Sequence, residues 1–426
     1  MLSMIKDTTA AWRLAARTRR RLSERLLAMA EAGPASEEDA GWRLVGGGRF
    51  DGPTAGDDRT LREDARRLSR TNPYARNALR LMESYVAGPD LAMTVRPIAS
   101  GDVALAERAA EVWRRFTAAA AGHWSFREHA ARAWRDGEAF VRLFEGEGGV
   151  PEVRFVDPGR IEETPSHPGT RGVLTDARDV ETPLAYLQHG SDGGVEEVPA
   201  AEMFHTRRGV DSNERRGRSL LAPCVGMLTS YDRWLETELK ARKLQASIVL
   251  WRKVQGGPHS AEAKERVAPG TILTTSPGTE LEFLQPKTNL ADAVPLGRMM
   301  LLAVAAGTGL PEFMLTADAS NANYASTMVA EGPAVKLFEA EQRWLAGELS
   351  RFFVQILRGC DLSSFGLSQD DLTRVRAEWA FPQLVPRDRS ADRATDLSLL
   401  AANVLSRAEV ARREGVDVEA MDAEAG

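Results

Sequence analysis

Two stretches of this 426-residue chain carry helical periodicity over long distances, and they frame everything else. From Ser219 to Ala246, the residues Leu221, Cys224 or Val225, Leu228, Tyr231, Leu235 and Leu239 recur at intervals of three and four, the spacing of one helix face. At 1.5 Å per residue this predicts a rod of roughly 40 Å. Pro223 falls in its first turn, where a missing N–H is tolerated. A second pattern, Tyr324 to Leu357, spans about 50 Å by the same rise. Gly332-Pro333 interrupts it, and a kink is expected there. A third helical segment, 290–308, precedes it. Between them lies GLPEFMLTADASNANYAS, residues 309–326, whose 316–323 portion is entirely small or polar, with no cation and one acid, Asp318.

The rest of the chain alternates between periods. Residues 5–32 read as an amphipathic helix, with Trp12, Leu14, Leu22, Leu26 and Leu27 among arginines. Gly33 to Arg59 is rich in breakers and reads as an arm that orders against a partner. Thr60 to Val86 is helical in two pieces divided at Asn72-Pro73, a cap followed by proline at the first helical position. Helices are expected at 102–120 and from Ser125. Within WRDGEAFVRLF, residues 134–144, the period drops to about two, so a helix turns into a strand. Short β-rich runs follow at Val153–Val156, Leu184–Gln188 and Met203–Thr206, and again at Ile248–Trp251, Thr271–Thr274 and Leu281–Leu284. The tail from 388 reads as short helices. No repeat of solenoid length is present.

Such a length suggests more than one lobe. Hydrophobic content of 43% and charged content of 27% are ordinary for a globular protein. No apolar run approaches the roughly 18 residues of a membrane span. The basic N-terminus lacks a continuous apolar core, so a secretory signal is not expected. Two cysteines, Cys224 and Cys360, give no disulfide framework and point to a reducing compartment. Net charge is −6, which does not advertise nucleic-acid binding. Trp12 to Arg25 and Arg59 to Arg80 are locally basic. Solvated helix faces with arginine-biased codon usage, or a nucleic-acid patch, would each give that pattern.

Catalytic motifs are missing. The nearest run to a nucleophile elbow, Gly217-Arg218-Ser219, lacks its second glycine. No phosphate loop exists, and Gly307-Thr308-Gly309 continues into Leu310-Pro311, which fails as a dinucleotide fingerprint. The six histidines show no metal-ligand spacing. His123 and His129, flanking Trp124 and Phe126, read as packing residues. Glu138, in an apolar run, reads as a buried, salt-bridged carboxylate. A competing enzymatic reading would pair Asp136 with Glu138 as nuclease carboxylates. No catalytic residue, metal site or cofactor is predicted.

Several runs nonetheless resemble the lambda family of tailed-bacteriophage portal proteins. Asn72-Pro73-Tyr74-Ala75-Arg76, with Val86-Ala87-Gly88, is similar to its N-P-x-A-R … V-x-G segment. Asp136-Gly137-Glu138-Ala139-Phe140 resembles D-G-E-x-F, and Asp157-Pro158-Gly159-Arg160-Ile161 resembles D-P-x-R-I. Pro199 to His205 is similar to P-A-x-x-V-x-H, and Arg216-Gly217-Arg218-Ser219 to R-G-x-S/P. Gly309-Leu310-Pro311, Asp318 and Asn323-Tyr324-Ala325-Ser326 resemble G-x-P … D … N-Y-S-S, with Ala325 in place of the usual serine. Leu405-Ser406-Arg407 and Glu414-Gly415-Val416-Asp417 are similar to the closing L-x-T/S-R … x-G-x-D. The order of these runs is collinear across 60–420; the first sixty residues share little.

The resemblance implies an α+β portal fold: an α/β wing, a two-helix stem, a small β-containing clip and an α-helical crown. On this chain it implies an N-terminal helix and arm at 1–59, a wing at 60–218, stem helices at 219–246 and 290–312, and a clip at 247–289. It further implies a tunnel loop at 313–323, a long kinked wing helix and return at 324–387, and a crown at 388–426. The implied assembly is a non-enzymatic ring, commonly of about twelve subunits, at one capsid vertex, through which double-stranded DNA passes. The implied partners are further copies of the chain, the terminase large subunit, a head–tail adaptor, and the major capsid or scaffold protein, with no membrane. Thr316, Asp318, Ser320, Asn321 and Asn323 would face DNA. Leu228, Tyr231, Trp234 and Leu235 would serve stem packing or the ring interface, burial inside the subunit being the simpler alternative. Trp251, Lys253, His259 and Lys264 would dock motor or adaptor in the clip. A structural head-completion protein without a channel is a further alternative. The loop composition fits a conduit, because each phosphate neutralised by Lys or Arg adds affinity, and a cation-free loop does not grip its cargo.

Overall fold

The computed structural model describes residues 55–413 except 90, 176–180, 212–213, 247–249, 255–278, 284–289, 319, 321–323, 383 and 385–388. The expected helix at 5–32, most of the arm, the strand at Thr271–Thr274, and the stretch from 414 onward lie outside that set. Two compact units divide the chain, Met1–Asp57 and Asp58–Gly426, and all but the opening residues of the described structure belong to the second.

Helix α1 (Ala55–Thr71) ends at Asn72, and α2 (Pro73–Met82) begins there. The Asn72 Oδ1 accepts from the Tyr74 and Ala75 amides at 3.0 Å each, while Pro73 supplies a preset φ and lacks the N–H that would have gone unsatisfied. A π turn, Glu83–Ala87, carries α2 to Gly88, whose φ of 54° ends it. Then come β1 (Ala92–Pro97), α3 (Val103–Ala120) and α4 (Phe126–Asp136). Gly137 closes α4 in the left-handed region, φ 87°, and β2 (Glu138–Phe144) starts at the next residue. The period change in 134–144 therefore marks a real junction.

Antiparallel β3 (Glu152–Val156) and β7 (Met203–Arg207) flank β2. A second sheet orders β4 (Val173–Thr175), β5 (Pro183–His189) and β6 (Val195–Pro199) in sequence. β10 (Val375–Ala380) pairs with β1, so residues almost three hundred positions apart close one two-stranded sheet. The expected runs at 153–156, 184–188 and 203–206 are strands.

The helix expected over 219–246 starts later than its periodicity suggests. Ala222–Cys224 forms a 3₁₀ turn holding Pro223, and α5 spans Val225–Ala246. Strands β8 (Leu250–Val254) and β9 (Thr279–Phe283) pair antiparallel. Helix α6 covers Leu290–Thr308 and α7 only Glu312–Thr316. Helix α8 (Tyr324–Arg358) runs as one helix with Pro333 inside. Proline removes a ladder bond there, but the flanking turns continue. Short helices α9 (Arg389–Ala401) and α10 (Arg407–Arg413) end the described chain.

The core gathers α3, α4 and α8 around aromatic rings. Trp124 lies 4.9 Å from Phe352 and Trp113 5.5 Å from Phe353, centroid to centroid. Phe116, Phe338, Phe352 and Phe353 are almost wholly buried, each contributing about 2–3 kcal/mol of apolar burial. Helix α6 closely approaches α5 and the turn before it through glycine. A Cβ at Gly297 would come 2.4 Å from Trp234 Cη2, and one at Gly307 2.5 Å from Cys224 Sγ.

Candidate functional site

The small-residue stretch leaves a short, well-held helix. Leu310 and Leu315 are buried on either side of its start, at 2% and 1% exposure. The Met314 and Leu315 carbonyls accept from Asn77 Nδ2 of α2 at 2.8 and 2.9 Å. At the other end of the short helix, Arg298 of α6 makes a two-pronged contact with Glu312, at 2.7 and 2.9 Å. That pair holds the Glu312 carboxyl below, and the Arg298 guanidinium above, their ordinary ranges. Thr316 Oγ1 donates to the Glu312 carbonyl at 2.8 Å and accepts from the Asp318 amide at 3.3 Å. Ala317 then turns left-handed, φ 57°, ending α7. Asp318 is exposed and its Oδ1 accepts from the Ser320 amide at 2.9 Å; hydrogen bonds from Ser320 hold its carboxyl low. Ser320 is exposed. Asn321 and Asn323 lie outside the described residues. Arg298 faces two acids, Glu312 and Asp318, so these three side chains sum to a net negative charge.

On α5, Leu228 is fully buried, and Tyr231 packs edge-on against Tyr74 at 5.3 Å, with hydroxyls 3.3 Å apart. Trp234 covers Gly297 and packs beside Tyr231. These three serve contacts inside the subunit. Leu235 is 39% exposed, as are, to a greater degree, Leu239 on α5 and Val294, Leu296, Met299 and Leu302 on α6. Trp251 stands opposite Glu282 and Lys253 opposite Glu280 in the β8–β9 ladder. His259 and Lys264 lie outside the described residues.

A second cluster centres on Glu138, the buried, salt-bridged carboxylate expected from its apolar run, with partners that no local pattern marks. Glu138, fully buried at the start of β2, accepts from Arg62 Nη1 at 2.9 Å, Arg216 Nη2 at 2.6 Å, His205 at 3.0 Å and the Gly217 amide at 3.2 Å. Burial pushes its carboxyl up, but Arg216 and the hydrogen bonds from His205 and Arg216 outweigh it, and the group sits well below the carboxylate range. Arg216 satisfies all its donors: Nε and Nη2 on Glu138, and the remainder on the carbonyls of Ile161 (2.6 Å), Arg171 (2.8 Å) and Pro158 (2.9 Å). Beside it, Asp136 takes Arg66 and Arg135, and Arg66 also reaches Asp157 at 2.8 Å. Gly137 and Gly217 lie back to back: a Cβ on Gly217 would meet the Gly137 oxygen at 1.9 Å. Four family-like runs, around 136–140, 157–161, 199–205 and 216–219, thus converge on one charged knot. Every oxygen of the Asp136–Glu138 pair is occupied by arginine or histidine, which makes both carboxylates structural. No group of His, Cys, Asp or Glu among the described residues is arranged to hold a metal, and no described helix is long and apolar enough to cross a membrane.

Among curated proteins, no sequence matches the chain. In fold it is similar to a chain in the neck of an empty GTA particle, with a TM-score of 0.55 at 15% identity, covering 83% of this chain and 94% of that one. A chain in the virion of a native gene transfer agent particle gives 0.51 at 16% identity, covering 86% and 96%. The sequence itself matches the family model of lambda-family phage portal proteins across residues 36–342. With the collinear runs and the mixed helix–sheet fold, that match makes the chain a member of the lambda family of phage portal proteins.

Proposed function

We propose that this chain assembles into a ring-shaped, non-enzymatic channel at one vertex of a capsid, through which double-stranded DNA enters during packaging and leaves during ejection. The observation that carries the reading is the charge balance around residues 316–320 in a portal-family chain: Arg298 is answered by Glu312 and Asp318, and Thr316 is turned inward onto its own helix. A conduit must hold its cargo weakly, and phosphate contacts from uncompensated cations would act as a brake. The ring, of about twelve subunits by family expectation, needs two different patches on each subunit. The exposed apolar residues Leu235, Leu239, Val294, Leu296, Met299 and Leu302 on the stem supply one of them. The similar neck chain comes from an assembly treated with C6 symmetry, which supports a closed ring. Residues 247–289, as the clip, meet the terminase large subunit and later the head–tail adaptor; 388–426 form the crown; capsid or scaffold protein surrounds the wing; the ring assembles in the host cytoplasm and ends in the virion.

Native mass measurement tests the assembly: the expected result is one discrete species at a high multiple of the 46.6 kDa chain. Asp318→Lys tests the channel. Rings should form normally while packaged DNA per head falls; packaging at the parent level would remove the loop from the bore.

A further inference from the structure

Helix α7 has five residues, fewer than two turns. Such a piece cannot sustain itself, because nucleation is costly and propagation never repays it. Its last carbonyls have no intrahelical donors. Both the Met314 and Leu315 carbonyls are instead met by a single side chain, Asn77, from a helix more than two hundred residues away in sequence. The Asn77 amide is itself oriented: its Oδ1 accepts from Arg80 Nη2 at 2.9 Å, which leaves Nδ2 facing α7. At the opposite end of α7, the forked Arg298–Glu312 contact ties its first residue to the stem helix α6. Leu315, 1% exposed, anchors the short helix in the core. The wing helix α2 and the stem helix α6 therefore grip α7 from its two ends. Ala317 follows at φ 57°, a conformation that crowds the Cβ of an L-residue and admits few continuing directions. Where Asp318 and Ser320 go is decided by how α7 is held.

We propose that Asn77 and the Arg298–Glu312 pair are positioning residues for the DNA-facing segment, fixing the direction in which the chain leaves α7. The inference rests on the reading that residues 316–320 face the bore. Of the two grips, Asn77 is the stronger. It satisfies two carbonyls in a partly buried setting, whereas an exposed ion pair contributes little by itself. Arg298 has a second role, since releasing it from Glu312 would set an uncompensated cation beside the duplex.

The test uses the assembled full-length chain. Cys224 and Cys360 are buried, so Ser320→Cys gives an addressable thiol for a benzophenone maleimide probe. Photocrosslinking to packaged linear duplex DNA is then measured in the parent, in Asn77→Ala, in Arg298→Gln, and in the swapped pair Arg298→Glu/Glu312→Arg. Hydrogen exchange of the Met314 and Leu315 amides is read in the same rings. The inference expects exchange at α7 to quicken about tenfold in Asn77→Ala, less in Arg298→Gln, and to return toward the parent in the swap, with crosslinking falling and recovering in the same order. Parent-like exchange and crosslinking in Asn77→Ala overturn the inference and leave the channel reading standing. No crosslink in the parent overturns the channel reading instead, and the exchange measurement still decides whether α7 is clamped. Should Asn77→Ala fail to assemble, Asn77→Asp decides the matter: it keeps the size, replaces the donor by a repelling carboxylate, and must quicken exchange in the same way.

Discussion

Replacing Glu138 by glutamine should cost the subunit about 3–5 kcal/mol, the range for breaking a buried ion pair from one side. The size follows from what is stranded. Arg62 and Arg216 are 6% and 5% exposed, and both lose their anion. Glutamine keeps the shape but presents an NH₂ where the carboxylate accepted from Arg216, Arg62, His205 or the Gly217 amide; donor then meets donor. Denaturant unfolding followed by tryptophan fluorescence measures the loss, and Trp134, fully buried about one turn before Glu138, reports on that region. Arg59→Ala is the control: its pair with Glu162 is at the surface, Arg59 being 55% exposed, and should be worth less than about 1 kcal/mol. If Glu138→Gln loses no more than the control, the knot is not what holds the sheet to α1. The sign with pH is fixed by the depressed carboxyl: the contribution is complete above the ordinary glutamate range and is lost as pH falls from that range through the lowered value.

His129 gives a window at higher pH. Trp124 Nε1 donates to its Nδ1 at 3.1 Å, so the ring is neutral, and burial with Arg132 lowers its pKa to about 3. Its contribution is complete above the ordinary histidine range and falls as the unfolded histidine protonates, by about 2 kcal/mol between roughly pH 7 and pH 5; His129→Gln should flatten that part of the pH–stability curve even if it lowers the whole. Gly217→Ala drives a methyl into the Gly137 carbonyl, 1.9 Å from the built Cβ, and should cost about 3 kcal/mol or block folding, read as soluble yield and unfolding midpoint. Gly297→Val pushes Trp234 off α6 and should cost about 1–3 kcal/mol, with a rise in the accessibility of tryptophan fluorescence to quencher.

The sequence is legible where the signal is local. Asn72-Pro73 is a cap and a preset φ in adjacent residues, and α2 starts there; the period change at Gly137 is visible because helix and strand meet with one glycine between them. Signals fail where a tertiary contact overrides them. The leucine spacing runs back to Leu221, yet α5 begins at Val225, because the Ala222 and Cys224 amides bond three residues back, to the Ser219 and Leu221 carbonyls, and wind the chain around Pro223 as a 3₁₀ turn. β1 and β6 each bury one residue, Val95 and Val198, so no alternation marks them. The charged knot joins residues 62, 138, 205 and 216, of which 62, 205 and 216 each read alone as an ordinary polar position. Glu138 could be flagged, as a carboxylate inside an apolar run, and its partners could not. Asn77 carries no sequence signal at all; its role exists only because α7 ends beside it.

Among the described side chains of α8, the buried ones begin at Ala334, while Val329 is 78% exposed. From Ala334 on, the helix is seated in the aromatic core and is held there as a beam is at its root. A load applied to the part of the chain before Ala334 becomes a bending moment at that root, where Phe338, Phe352 and Phe353 are seated. Pro333, one ladder bond short, sits at the root and is where such a beam would flex first.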